Sequence, residues 1–153
     1  MNNLPFTSPA VSIVVCCYNA AETLPATLDS LLAQTHKALE ILVVNDASTD
    51  NTSEIVRSYQ DRDARVRMVT HEKNRGLAHG RKSGVDNAAN ELLTFIDADD
   101  IAMPNMVQRL VEILQSNDMI LGASSYRIYF DDDRDLGVQR IGPTTRAAYM
   151  RLY

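Results

Sequence analysis

The chain has 153 residues, enough for one domain with its own core, and its 45% hydrophobic and 23% charged residues are ordinary for a globular protein. A net charge of −5 without a long basic run argues against nucleic-acid binding, and the only two cysteines, adjacent as Cys16 and Cys17, exclude a disulfide framework. That cysteine usage fits a reducing, cytosolic compartment. Residues 1–9 lack the charged start and apolar core of a signal peptide, and no run approaches the roughly 20 apolar residues of a membrane span.

Short apolar runs alternate with helical stretches along the chain. Val11 to Cys16 is β-branched and almost wholly apolar, and predicts a buried first strand. Leu24, Leu28, Leu31 and Leu32 then share one helix face, with Pro25 tolerable only near a start at about Glu22 or Thr23. Ile41 to Val44 predicts a second buried strand running into the turn-rich segment Asn45–Asp50, where Asp50 is the expected N-cap of a helix carrying Ile55, Val56 and Tyr59. Val66 to Val69 predicts a third strand. A turn at Asn74–Gly76 precedes a helix from about Leu77 to Ala89, weakened by Gly80 and Gly84. Leu92 to Ile96 reads as a fourth buried strand, and Pro104 suits the first turn of a helix bearing Met106, Val107, Leu110, Val111 and Leu114. Met119 to Phe130 predicts one or two further strands, Asp131 to Arg134 a turn-like acidic tip, and Thr145 to Tyr153 the opening of another helix. Four strand–helix alternations predict an α/β fold: a Rossmann-like, mainly parallel sheet with helices on both faces, in a single domain over residues 1–153. The unfinished last helix leads us to expect that the chain is a portion of something longer.

The segment Thr94-Phe95-Ile96-Asp97-Ala98-Asp99-Asp100 carries the sharpest chemical signal. Three carboxylates follow an apolar run within four positions, at the strand end where open α/β sheets bind ligands. Such a cluster calls for a cation, and Mg²⁺ or Mn²⁺ favours oxygen ligands shared with substrate phosphates. Extended backbone would project Asp97 and Asp99 together; the bland alternative is a set of caps for the following helix. Asp46 also follows a buried strand, as a sugar or base acceptor or as a turn residue. Tyr18 and Asn19 follow the first strand. The ring suits stacking on a base, or burial in the core, and Asn19 suits ordering the turn. Arg75 and Arg81 suit bidentate pairing with a diphosphate. Lys82 reads as a solvated helix residue, and His71 and His79 as surface or packing residues. Cys16 and Cys17 read as small hydrophobes. No G-x-G-x-x-G follows the first strand, which disfavours a dinucleotide dehydrogenase. An acidic cluster after the fourth strand rather than the first disfavours a phosphoacceptor receiver domain.

Five of these segments, in order and spacing, resemble the family 2 glycosyltransferases. They are Val11 to Asn19, Leu28 to Thr35, Val44 to Thr52, Asn74 to Arg81, and Phe95 to Asp100. The resemblance implies a GT-A fold and transfer of a sugar, with inversion, from a nucleotide-diphosphate donor to a hydroxyl acceptor, as in polysaccharide biosynthesis. It implies a nucleotide site of Tyr18, Asn19, Asp46, Arg75, Arg81 and Asp97, with Asp46 on the base, commonly uracil. It also implies a divalent metal (Mn²⁺ or Mg²⁺) on Asp99, aided by Asp97. The implied partners are a nucleotide-sugar donor, UDP-linked, and a sugar or lipid-linked acceptor. The expected location is the cytoplasm, at the inner membrane face if a segment outside these residues provides an anchor. Cys17 stands where the family often has proline, Ala47 where glycine is usual, and Gly80 where alanine is usual. The family's catalytic base lies in a later acidic segment without a counterpart before Tyr153, so the catalytic residue is unassigned. A non-catalytic nucleotide-sugar-binding module is the alternative reading.

Overall fold

The computed structural model describes residues 8–116, Ala123 and the backbone of two later strands. The chain divides into two compact units, Met1–Asn105 and Met106–Tyr153, each described by itself. Unit one holds β1 (Val11–Cys17), α1 (Leu24–Leu32), β2 (Leu39–Asn45), α2 (Thr52–Gln60), β3 (Val66–Thr70), α3 (Leu77–Asn87) and β4 (Leu92–Asp97). Unit two holds α4 (Met106–Gln115) and an antiparallel hairpin of β5 (Arg127–Asp131) and β6 (Arg134–Gln139). Of the acidic tip expected after Phe130, Asp131 and Arg134 pair across the hairpin, while Asp132 and Asp133 lie outside the described residues. The helix expected over Thr145–Tyr153, and most of Met119–Tyr126, lie outside the described residues. Among the described residues no helix is long and apolar enough to cross a membrane.

The sheet is four-stranded and parallel, in the order β3-β2-β1-β4. The central strands β1 and β2 are covered on both faces, so Ile13, Val14, Val15 and Ile41 to Val44 are all fully buried. Each such side chain contributes on the order of 1.5–3 kcal/mol. The Tyr59 hydroxyl of α2 donates to Asp29 Oδ1 of α1 at 2.7 Å, which puts α1 and α2 on one face, as consecutive crossovers of one hand require. The return from β3 to β4 sends α3 across the other face. There a Cβ at Gly84 would overlap the γ carbons of Val14, and one at Gly80 would meet Cys16 Sγ at 3.2 Å. The two glycines that weaken the helical pattern are what let α3 lie close on β1.

Three expectations need correction. Leu92 to Ile96 is not fully buried: β4 is half-buried throughout, because among the described residues it pairs with β1 alone. Asp50 is not the N-cap of α2. Asn51 holds that position, and Asp50, one residue earlier, takes the Thr52 amide at 3.0 Å and the Ala21 amide at 3.1 Å, tying the start of α2 to the loop before α1. Pro104 is not in the first turn of α4, which begins at Met106.

The amino-terminal edge of the sheet is closed by Glu40. It accepts from Ser12 Oγ at 2.5 Å and the Ala89 amide at 2.8 Å, and pairs with Arg67. Burial works to raise its carboxyl, and the Ser12, Ala89 and Arg67 contacts outweigh that and hold it low. The opposite, carboxyl-terminal edge is left open for the loops after β1, β2, β3 and β4.

Candidate functional site

Strand ends Cys17, Asn45, Thr70 and Asp97 all reach the carboxyl edge, and the loops that follow them build one open cleft. Cys16, Cys17, Tyr18, Asp46, Asn74, Gly76, Leu77 and Gly80 line it. Backbone strain is concentrated in these loops. Among the described residues, Asn19 (φ 51°), Ala47 (φ 62°) and Gly76 (φ 81°) adopt the left-handed region. The Ala47 value explains why glycine is the usual residue there.

Asp46 is the organising group. Its Oδ1 accepts from His71 Nδ1 at 2.6 Å and from the Arg75 amide at 2.9 Å, and its Oδ2 accepts from the Gly76 amide at 2.7 Å and shares the Arg75 amide at 3.0 Å. Burial opposes its charge, but these bonds outweigh it and hold the carboxyl below the usual range. Asn19 does what a turn residue should. Its Oδ1 takes the Thr49 amide at 2.8 Å and its own amide donates to Ser48 Oγ at 2.9 Å, joining the loops after β1 and β2. Tyr18 lines the cleft with 50% of its surface exposed, so its ring is not a core aromatic.

The acidic segment departs from simple alternation. The extended run stops at Asp97, and the Asp100 amide donates back to the Asp97 carbonyl at 3.1 Å, closing a turn through Ala98 and Asp99. Period-two geometry therefore ends at Asp97, half-buried beside Cys16 in the β1–β4 register, while Asp99 is exposed on the turn. Arg81 reaches Asp97 Oδ1 at 3.3 Å and lies 5.5 Å from the centre of the Phe95 ring. Arg75 contributes its amide to Asp46, and its side chain is exposed. No group of three or more His, Cys, Asp or Glu side chains is arranged to hold a metal ion among the described residues.

Three polar side chains, two on α1 and one just beyond its end, strap this acidic loop down. Thr27 Oγ1 donates to the Ala98 carbonyl at 2.9 Å, Ser30 Oγ accepts the Ala102 amide at 3.0 Å, and Gln34 Nε2 donates to the Met103 carbonyl at 2.8 Å. Thr27 and Gln34 are fully buried; Thr27 and Ser30 lie one turn apart on α1, and Gln34 follows just beyond its C-cap, Ala33. Sequence reasoning passed over that strap, and it passed over His71 as an ordering group, although both carried a signal. Thr27 and Ser30 are spaced as neighbours on the predicted helix, and His71 directly follows a strand just as Tyr18 and Asp46 do. Both cysteine thiols are held in the protonated direction. Burial pushes the Cys17 thiol up to about 12, with Cys16 adding to the effect, and burial also raises Cys16 against the pull of Arg81. Lys82 is a surface residue, paired with Asp86 at 2.6 Å one helical turn away.

The sheet is that of an open α/β domain, and its carboxyl edge, where such folds bind ligands, gathers an aromatic ring, an ordered carboxylate and an acidic turn. The family described as Glycosyl transferase family 2 matches residues 12–152, and the chain belongs to it. The chain is 39% identical over 120 residues to the uncharacterized glycosyltransferase EpsJ of Bacillus subtilis, covering 78% of this chain and 35% of EpsJ. It is 34% identical over 126 residues to glycosyltransferase GlyG of Streptococcus pneumoniae, covering 82% of this chain and 42% of GlyG. Among solved structures it is similar to the mannosyltransferase PcManGT of Pyrobaculum calidifontis in complex with GDP-Man and Mn²⁺, with a TM-score of 0.66, 29% identity and coverage of 72% of this chain and 33% of that one. It is also similar to S. aureus TarS 1-349 in complex with UDP-GlcNAc, with a TM-score of 0.66, 26% identity and coverage of 70% and 31%. The fold is thus of the GT-A type expected from the sequence, and the chain spans well under half the length of the curated relatives it matches.

Proposed function

We propose that the protein to which this chain belongs transfers a sugar from a nucleotide-diphosphate donor, UDP-linked, to a hydroxyl acceptor with inversion, and that this chain holds the donor. The observation that carries the reading is the gathering of Tyr18, Asp46 and the Asp97–Asp99 turn along one sheet edge, in the order and spacing of the family. PcManGT with GDP-Man and TarS with UDP-GlcNAc support a nucleotide-sugar donor for this fold.

In this reading the exposed Tyr18 ring stacks on the base. Asp46 is engaged by three donors, the Arg75 amide being shared between its two oxygens, and it lines the cleft where a base N–H would approach. Arg81, one turn into α3 and paired with Asp97, faces the diphosphate with a guanidinium fork. The strap from α1 holds the acidic turn against recoil when phosphates approach. Two free cysteines in reduced form fit a cytoplasmic location.

A divalent cation fits the donor set. Mg²⁺ and Mn²⁺ are commonly held by one or two carboxylates plus substrate phosphates, so a three-ligand protein cage is not required. Asp99, exposed on the turn, would hold the ion, with Asp97 beside it. When bound, the ion would supply charge stabilisation to the leaving nucleoside diphosphate.

Titration calorimetry with UDP and Mn²⁺ tests the proposal. Wild-type chain is expected to bind, and Asp99→Ala to bind UDP at least tenfold more weakly in the presence of the ion. Undiminished binding by Asp99→Ala would remove Asp99 from the site, and no binding by wild type would remove the proposal.

A further inference from the structure

His71 stands between two elements that the donor site depends on. Its Nδ1 lies 2.6 Å from Asp46 Oδ1 and its Nε2 lies 2.8 Å from Ser83 Oγ, a residue of α3. Only 9% of the His71 side chain and 8% of the Asp46 side chain are exposed. An ionised carboxylate only accepts, so Nδ1 carries a proton and donates to Asp46, while Nε2 pairs with the Ser83 hydroxyl, which can donate or accept. The imidazole cannot swivel without breaking both bonds. The main chain adds to the clamp, since the His71 amide donates to the Asn45 carbonyl at 2.9 Å, next to Asp46 itself.

Asp, His and Ser in this order resemble the relay of a serine hydrolase, but Ser83 is interior to α3. The amides around it are engaged in the helix's own ladder, so no oxyanion hole adjoins its hydroxyl. The arrangement orients rather than attacks.

We propose that His71 is a positioning residue for recognition of the donor base: it sets the plane of the Asp46 carboxylate so that the carboxylate meets an imide N–H. This rests on the nucleotide-binding reading above. The ligand chemistry it selects is a pyrimidine base with a protonated N3, and the same clamp keeps loop 74–76 in register through the Arg75 and Gly76 amides.

The test compares UDP with N3-methyl-UDP, which lacks that N–H, by calorimetry on the whole chain. Wild type is expected to prefer UDP by about tenfold or more, the worth of a hydrogen bond to a charged group. His71→Ala should lose most of that preference. His71→Asn, whose amide keeps a donor at the Nδ1 position, should restore it to within about threefold, even where its melting temperature is no higher than that of the alanine variant. A merely structural histidine would lower stability and leave the preference intact. If His71→Ala does not fold, His71→Gln, which keeps a donor only at the Nε2 position, must lose the preference in the same way. A preference unchanged in these variants, or absent from wild type that still binds UDP, would overturn the role of His71 and leave nucleotide binding standing. Wild type that binds neither nucleotide would overturn both.

Discussion

The guanidinium of Arg81 lies 3.3 Å from the carboxylate of Asp97, at the end of β4 where three acidic residues gather. The sequence argues that such a cluster needs a cation, and the protein supplies one from α3. Both partners are well exposed, 43% and 37%, so screening leaves the pair below about 1 kcal/mol of stability. Its importance lies in what approaches it. Arg81→Ala is expected to unfold in urea close to wild type while binding UDP about tenfold more weakly, the scale of one charge-assisted hydrogen bond. A large stability loss with unchanged UDP affinity would make Arg81 a structural residue.

Gly84 lies where a Cβ would overlap Val14 in the middle of β1. Helix propensity alone would favour alanine there by about 1 kcal/mol. Overpacking a buried, β-branched neighbour costs about 1–3 kcal/mol on the measured scale and wins. Gly84→Ala should therefore destabilise the fold by about 2 kcal/mol in denaturant titration. Adding Val14→Ala should make the double variant less unstable than the sum of the two single changes.

Gln34, fully buried, donates to the Met103 carbonyl beyond the acidic turn. Gln34→Ala leaves that carbonyl without this donor, at a cost of about 1–3 kcal/mol. The effect should be local. Amide exchange over residues 98–104 is expected to quicken more than exchange in β1 or β2, and equal acceleration everywhere would argue against a strap.

Acid stability follows from carboxylates held low. The Arg65 side chain, and then its amide, hold Asp63 at about 2 against a small opposing effect of burial. A folded-state value below the unfolded one contributes stability that is complete above the unfolded value of about 3.9 and is lost as pH falls through the folded value. Wild type should therefore lose stability from about pH 4 down to about pH 2, and Asp63→Asn should show a shallower slope in that window. Identical slopes would show that the Asp63–Arg65 pair does not persist in solution.

Much of this architecture is legible in the residues because both periodicities are strong. Val11 to Cys16 and Ile41 to Val44 are buried on both faces and read as uninterrupted apolar runs, and the leucines of α1 recur at helical spacing. The acidic turn is visible too, but its shape is not. Alternation assumes extended backbone, and the Asp97–Asp100 hydrogen bond ends it after Asp97. The least legible features are those that depend on several loops meeting. Asp46 could be placed at the edge from its strand, whereas its amide partners come from loop 74–76, about 30 positions away in the chain. Ala47 in the left-handed region shows the same limit, because the strain belongs to the assembled loop rather than to the residue.

Amide chemical-shift mapping of the ¹⁵N-labelled chain, titrated with UDP and Mg²⁺, tests the central claim most directly, because the two sheet edges report separately. The account predicts saturable shifts at Tyr18, Asp46, Leu77, Gly80 and Asp99, with Ser12, Glu40, Ala89 and Asn90 at the opposite edge unmoved. Shifts confined to the Glu40 edge, or a spectrum unchanged at millimolar UDP, would contradict it.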